Sequence, residues 1–427
     1  MKRKHMLSVI IVIISSIFFG SPVFASPGEN FSAGTAKVKI TPSAPTPMSG
    51  YASRTENFTG VHDDLFARVI VFSDGEKKCA IITADIIGFP EEQWDAIVKG
   101  INKETGIKRK YILLCATHTH AGPNNRVNDE SSGNVKNYVK ELRKKIINAV
   151  IEADKNIKPA AIGAGKGVCL MNINRRAVNA EGRIVLGRNP YGICDHGVGV
   201  IKIDYENRSP MAVMINWPSH ATTMGTQNYL ISGDWPGAAA RYVEAKLNNV
   251  IAPVTAGSCG NINPIYGPVA HFKMAYAYAV DAIGEDLGKE AIRLSKEIKT
   301  VSDARISAAQ RIISLPGKER NTYEEFDRLG TKAFKPAPDF KMRLSALKIG
   351  DVVLAGIAQE FNEIGLKIKK GSPYKNTFVV DHCNASSEYV PTDEGFELGG
   401  YEVMKSRLMP GAEKIIIKNI LEMISGL

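Results

Sequence analysis

Histidine and cysteine are scarce in this 427-residue chain, eight and six in all, so their placement carries information. His118 and His120 lie in Thr117-His118-Thr119-His120-Ala121-Gly122-Pro123, directly after the apolar run Tyr111 to Ala116. His220 repeats the arrangement, since Met211 to Trp217 empties into Pro218-Ser219-His220-Ala221-Thr222. Neutral imidazole is a good ligand for a divalent metal and a proton carrier near neutral pH. Residues two apart on extended chain point the same way, so the rings of 118 and 120 are expected to face one cleft. Hydrogen-bonding histidines are the alternative for such a pair. His62, His196, His271 and His382 stand in reserve, and for His62 a structural hydrogen bond competes with a substrate contact.

A third small-residue stretch, Ala256-Gly257-Ser258-Cys259-Gly260-Asn261-Ile262-Asn263-Pro264, permits a tight turn whose backbone N–H groups could face an oxyanion. Cys259 is a candidate nucleophile if a base or cation sits beside it, and otherwise a structural thiol. Asn261 is a candidate substrate contact in the same turn. Two carboxylates could complete a metal site or orient a histidine: Glu360 in Ala358-Gln359-Glu360-Phe361, and Asp85, also a candidate substrate contact, at the end of an apolar run. Arg175 and Arg176 could polarise a carbonyl, and Tyr389 offers a phenolic donor or ligand. No Gly-x-Ser-x-Gly elbow occurs, which weakens a serine-hydrolase reading. The cysteines form no Cys-x-x-Cys pair, which disfavours a thiolate zinc knuckle, and they are too dispersed to staple the chain.

The elements that must carry these residues are legible as patterns. Cys79 to Ile87, a helix over roughly Glu91 to Glu104 and Tyr111 to Thr117 make a βαβ unit with parallel strands. A helix over about Val135 to Ala153 follows, then strands at Ala160 to Lys166, Val198 to Tyr205 and Met211 to Trp217. Ala36 to Ile40 alternates as an edge strand, and Met171 to Gly197 is polar and turn-rich. Phe272 to Lys296 is a predicted helix, and residues 310–339 form a predicted lid or insertion. The fold class is therefore α/β, a mixed and partly parallel sheet flanked by helices.

Lys2, Arg3 and Lys4 precede the apolar run Leu7 to Phe19 and the small residues of Val23-Phe24-Ala25. This predicts a cleavable signal peptide over residues 1–25, hence a secreted or periplasmic protein, with a single domain over 26–427. The formal net charge of +10 includes the three leader charges, and the remaining excess could favour anionic membrane surfaces. No dense basic cluster is interleaved with aromatics, which excludes nucleic acid as a partner. Oligomeric state is not encoded in any of these features.

In chain order, Lys39-Ile40-Thr41-Pro42, Gly50-Tyr51-Ala52, His62 to Arg68, Asp85, Thr117 to Pro123, Asn172 to Arg175, His220, Gly260 to Pro264, Glu360, Tyr389-Val390-Pro391-Thr392 and Tyr401-Glu402 together resemble the N-terminal catalytic domain of the neutral/alkaline, non-lysosomal ceramidases. The resemblance implies one catalytic Zn2+ held by His118, His220, Glu360 and Tyr389. It gives His120 a proton-handling role and sets Arg175 near the scissile amide, in an enzyme that releases fatty acid and sphingosine from ceramide. The chain stops soon after the helix ending near Ile424, so the family's separate C-terminal domain is not expected. A zinc-dependent hydrolase of another amide or ester, such as a modified sugar or wall fragment, is the alternative, and a non-catalytic binding protein is a third reading.

Overall fold

A computed structural model describes residues 31–267, 275–321, 334–385 and 388–427. The leader, His271 and part of the expected lid lie outside them. Among the described residues an eight-stranded mixed sheet has Val254–Ala256 at one edge and Ile112–Ala116 at the other. Between them, in order, run Pro210–Trp217, Gly197–Tyr205, Lys158–Val168, Ser32–Lys39, Phe66–Ser73 and Lys78–Ala84. Only the two outermost pairs are parallel. The βαβ unit is present as Lys78–Ala84, the helix Glu91–Thr105 and Ile112–Ala116.

A second sheet of four strands, Ile306–Lys318, Pro336–Ile349, Val352–Gly356 and Asn376–Val380, packs against the first. Strand alternation builds both of its faces. Val352 and Leu354 join Ile81, Ile201 and Met214 between the sheets. Val353 and Ala355 turn the other way, onto Ile364 and Ile368 of the helix Asn362–Gly371 and Ile416 and Ile420 of the helix Ala412–Ser425. The helix Gly133–Lys155 lies against the first sheet, and Asp234–Lys246 and Ala275–Glu297 close it near Val200, Val213 and Ile215. The layers run helix, sheet, sheet, helix. Among the described residues no helix is long and apolar enough to cross a membrane, and the six cysteines are free thiols.

Three sequence expectations change. Ser32–Lys39 is an interior strand by position, paired along its length with Phe66–Ser73 but with Lys158–Val168 only at Ser32 and Ala33. The turn-rich stretch after Met171 contains the hairpin Asn172–Val178 and Ile184–Asn189. Most of the described part of the expected lid or insertion belongs to the long hairpin of Ile306–Lys318 with Pro336–Ile349, whose apolar residues contribute to the second core, while 322–333 lie outside the described residues.

Asp85, expected among the substrate contacts, is a framework residue. Its carboxylate is 3.2 Å from the buried Arg68 guanidinium and accepts the Phe66 N–H at 2.9 Å. Arg68 also pairs with Glu244 at 2.7 Å, which ties the helix Asp234–Lys246 to the sheet. Removing one partner of a buried pair strands the other charge. Asp85→Ala is therefore expected to destabilise the fold by about 3–5 kcal/mol in urea denaturation. A loss below about 1 kcal/mol, the range of an exposed pair, contradicts this role.

Candidate metal centre

The strand Ile112–Ala116 ends at Thr117, and His118 turns the chain with φ of 61°, a left-handed conformation unusual for a side-chain-bearing residue. The convergence of 118 and 120 thus comes from a turn and not from extended alternation. Thr119 bridges Ala221, and the His120 N–H donates to the Ala221 carbonyl at 2.9 Å, so the two histidine loops are hydrogen-bonded to each other. The His220 carbonyl accepts from the Trp235 indole at 2.9 Å, which anchors that loop to a buried helix.

The result is a group of three ring nitrogens, from His118, His120 and His220, lying within 4.8 Å of one another. The tautomers of two rings follow from their partners. His118 Nδ1 is 2.6 Å from the Ile87 carbonyl, and His220 Nδ1 is 2.7 Å from the Cys259 carbonyl and 3.0 Å from that of Ile262. A carbonyl can only accept, so both Nδ1 atoms carry the proton and both Nε2 atoms present lone pairs inward. This is the arrangement in which histidines hold metals, the outer nitrogen fixed by a backbone acceptor. The donor set fits a divalent ion of the zinc type. Burial keeps the rings neutral. It lowers His118 to about 4, against the opposing bond to Ile87, and drives His120 and His220 well below the ordinary imidazole value, with the Arg175 charge adding in the same direction.

Arg175 and Arg176 are consecutive, yet both reach Glu402, because a register shift between Asn174 and Arg176 breaks the strand's alternation. Glu402 holds Arg175 at 2.7 Å, and the free arm of the guanidinium donates to the Tyr389 hydroxyl at 3.1 Å. That hydroxyl is 3.5 Å from His220 Nε2. Arg175 and Tyr389 therefore stand at the imidazoles.

Glu360 does not. Gln359 and Glu360 form a two-residue strand parallel to Tyr389–Val390, and successive side chains point to opposite sides. Gln359 takes the inward side, its amide nitrogen 2.6 Å from His220 Nε2 and 3.3 Å from His118 Nε2. Glu360 turns away and accepts from the Ser258 hydroxyl at 2.7 Å.

The remaining expected residues have other partners. His62 is bonded to Asp63 at 2.7 Å, and Asp63 holds Ser232 and Arg241, so His62 braces the loop beneath Thr119. Asn261 donates to Glu363 and accepts the Asn362 N–H, both at 2.9 Å, which leaves its amide engaged in the framework. Cys259 is fully buried, and burial pushes its thiol well above the usual range, which favours the protonated thiol over a nucleophilic thiolate. Sequence reasoning missed Gln359 and the cover over His120. Tyr51 lies on the His120 ring with centroids 4.9 Å apart, and Arg54 donates to the His120 carbonyl. Gly50, at φ of 105°, packs so closely that a Cβ would fall 2.7 Å from the ring. That glycine before an aromatic was the available signal.

Buried imidazoles at the strand ends of an α/β sandwich give the layout of a metal-centred protein. The sequence model of the neutral/alkaline non-lysosomal ceramidase N-terminal region matches residues 31–269, and the chain belongs to that family. It is 27% identical over 274 residues to neutral ceramidase B of Dictyostelium discoideum, covering 59% of this chain and 38% of that protein. A neutral ceramidase of Pseudomonas aeruginosa is 25% identical over 257 residues, 54% of this chain and 36% of its own. The match thus spans well under half the length of these curated relatives. The crystal structure of neutral ceramidase from Pseudomonas aeruginosa superposes with a TM-score of 0.76 at 17% identity, over 92% of this chain and 74% of that one, and establishes the shared fold.

Rings held neutral by burial bind protons less readily than in the unfolded chain. Their contribution to stability is complete above the unfolded imidazole pKa of about 6.5 and is lost as pH falls toward 4. For His118 alone the loss is on the order of 3 kcal/mol. Urea denaturation of the metal-free protein between pH 7 and 4 is expected to show this decline, and a flat profile contradicts it.

Proposed function

We propose that the chain is a zinc-dependent amidohydrolase that cleaves the N-acyl amide of a ceramide-like lipid to fatty acid and a sphingoid base. The observation that carries the reading is the pair of inward lone pairs on His118 and His220, set beside Arg175 and Tyr389. Family membership supports the hydrolase class, and the positively charged, apolar first segment supports export.

His118 and His220 are the residues that would hold zinc, with the Tyr389 hydroxyl as the adjacent donor. Zinc bound there supplies a Lewis acid and a water whose pKa lies near 7. Arg175, immobilised by Glu402, keeps its charge and a donor at the Tyr389 hydroxyl, where negative charge develops as an amide carbonyl becomes tetrahedral. His120, neutral and fixed by the backbone of Ala221, is positioned to take a proton from the attacking water and return it to the leaving amine. Gln359 fills the space between His118 and His220 and restricts what else can enter.

A lipid substrate is favoured over a polar one by the hairpin that carries Arg175. Val178, Val185 and Leu186 are exposed on it, and Tyr191 just beyond it is 97% exposed. An exposed apolar cluster of this kind is suited to contact with an acyl chain or a lipid surface.

The test is fatty-acid release from ceramide in mixed micelles, set against hydrolysis of short, soluble N-acyl compounds. His118→Ala and His220→Ala are each expected to lower kcat by at least about a hundredfold. Undiminished turnover in both variants contradicts the hydrolytic site. Preference for the soluble compounds contradicts the lipid assignment alone.

A further inference from the structure

Behind the imidazoles lies a second polar cluster that the proposed hydrolysis does not use. Cys259 comes from the turn after Val254–Ala256, and Asp381 and His382 follow directly on Asn376–Val380. One ligand atom from each lies within 4.8 Å of the other two, with Cys259 Sγ 4.0 Å from His382 Nε2. Asp381 Oδ2 accepts the Cys259 N–H at 2.9 Å, which pins the carboxylate beside the thiol. All three side chains are almost completely shielded from solvent, as is Glu360, whose carboxylate is within hydrogen-bonding reach of that of Asp381.

The cluster is unsatisfied as it stands. Asp381 Oδ1, Glu360 Oε2 and His382 Nδ1 are buried without a hydrogen-bond partner. Among the described residues no lysine or arginine forms an ion pair with either carboxylate, and the Lys369 charge that acts on Glu360 is itself paired with Asp195. Two buried carboxylates side by side repel each other whenever both are ionised, and an orphaned buried oxygen costs free energy that native interiors rarely leave uncompensated. A positive ion between them removes both costs. A thiol, an imidazole and carboxylates within a few ångströms are the ligand types of zinc, and a site closed on all sides by protein is the form that structural zinc takes.

We propose that Cys259, Asp381 and His382, with Glu360 as the remaining donor, form a second, structural site for a divalent transition metal of the zinc type. The ion would tie together the turn after one edge strand, the end of the second sheet and the short strand carrying Gln359. It would also fix the His382 ring, which stacks on His118 with centroids 3.6 Å apart and planes 7° from parallel. The site takes no substrate, and it stands independently of the hydrolytic reading.

Cobalt(II) tests it, because a thiolate ligand adds a sulfur-to-metal charge-transfer band in the near ultraviolet that imidazole and carboxylate ligands do not give. Metal-free full-length protein titrated with cobalt is expected to bind two ions per chain and to show the band. Cys259→Ala should abolish the band and bind one ion, whereas His220→Ala should keep the band while losing the other ion. If Cys259→Ala fails to fold, Asp381→Asn and His382→Gln provide the same comparison through a weakened or shifted band. Absence of the band in the wild-type protein at saturating cobalt overturns the proposal, as does its persistence in Cys259→Ala. Either result would leave a proton shared between Glu360 and Asp381 as what holds the cluster together.

Discussion

Everything at the centre of this molecule depends on where two imidazole protons are held. The Ile87 carbonyl takes the Nδ1 proton of His118, and the carbonyls of Cys259 and Ile262 take that of His220. With those protons committed, both inner nitrogens are lone pairs in a buried space, and burial keeps them so. Turning the His118 ring would cost the Ile87 carbonyl its partner, a loss of roughly 1 kcal/mol, while the His220 ring lies against two carbonyls that also accept the backbone N–H groups of Ile262 and His220. The framework exists to supply these acceptors at the right places. The carbonyls come from two segments, the loop after Lys78–Ala84 and the turn that joins Val254–Ala256 to Ile262–Pro264.

Much of this was legible in the residue pattern. Apolar runs ending in small polar residues marked the strand ends, and the scarcity of histidine made its recurrence there meaningful. The βαβ unit followed from two buried runs around an amphipathic helix. What could not be read was side-chain direction over very short elements. Gln359 and Glu360 occupy a strand of two residues, where the charged residue looks like the ligand and the amide looks incidental. Only the pairing with Tyr389–Val390 decides which faces inward. Asp85 misled for a related reason, since a carboxylate at a strand end reads as a site residue until its buried partner, Arg68, is known. Residues 310–339 read as a lid or insertion because their polarity was visible and their pairing was not. Half of the alternation in that hairpin faces solvent.

The polar interior is organised in two layers that share components. His118 belongs to the outer layer and stacks on His382 of the inner one. From the same short strand Gln359 faces the imidazoles and Glu360 faces the second cluster. The turn at Cys259 gives a carbonyl to His220 and an N–H to Asp381. Such sharing couples the layers mechanically, so a change in one is felt in the other. It also explains why so many polar side chains are buried here, where each group holds another in place and few could be replaced singly without leaving a partner unsatisfied.

The central claim, that His118 and His220 present their inner nitrogens to a common divalent ion, is tested most directly by crystallography of the zinc-loaded protein with anomalous data at the zinc edge. The account predicts a strong peak at about 2.0–2.1 Å from Nε2 of both rings, with each Nδ1 still on its carbonyl. A difference map with no peak between them, and the Gln359 amide still bridging the two rings at saturating zinc, would contradict it.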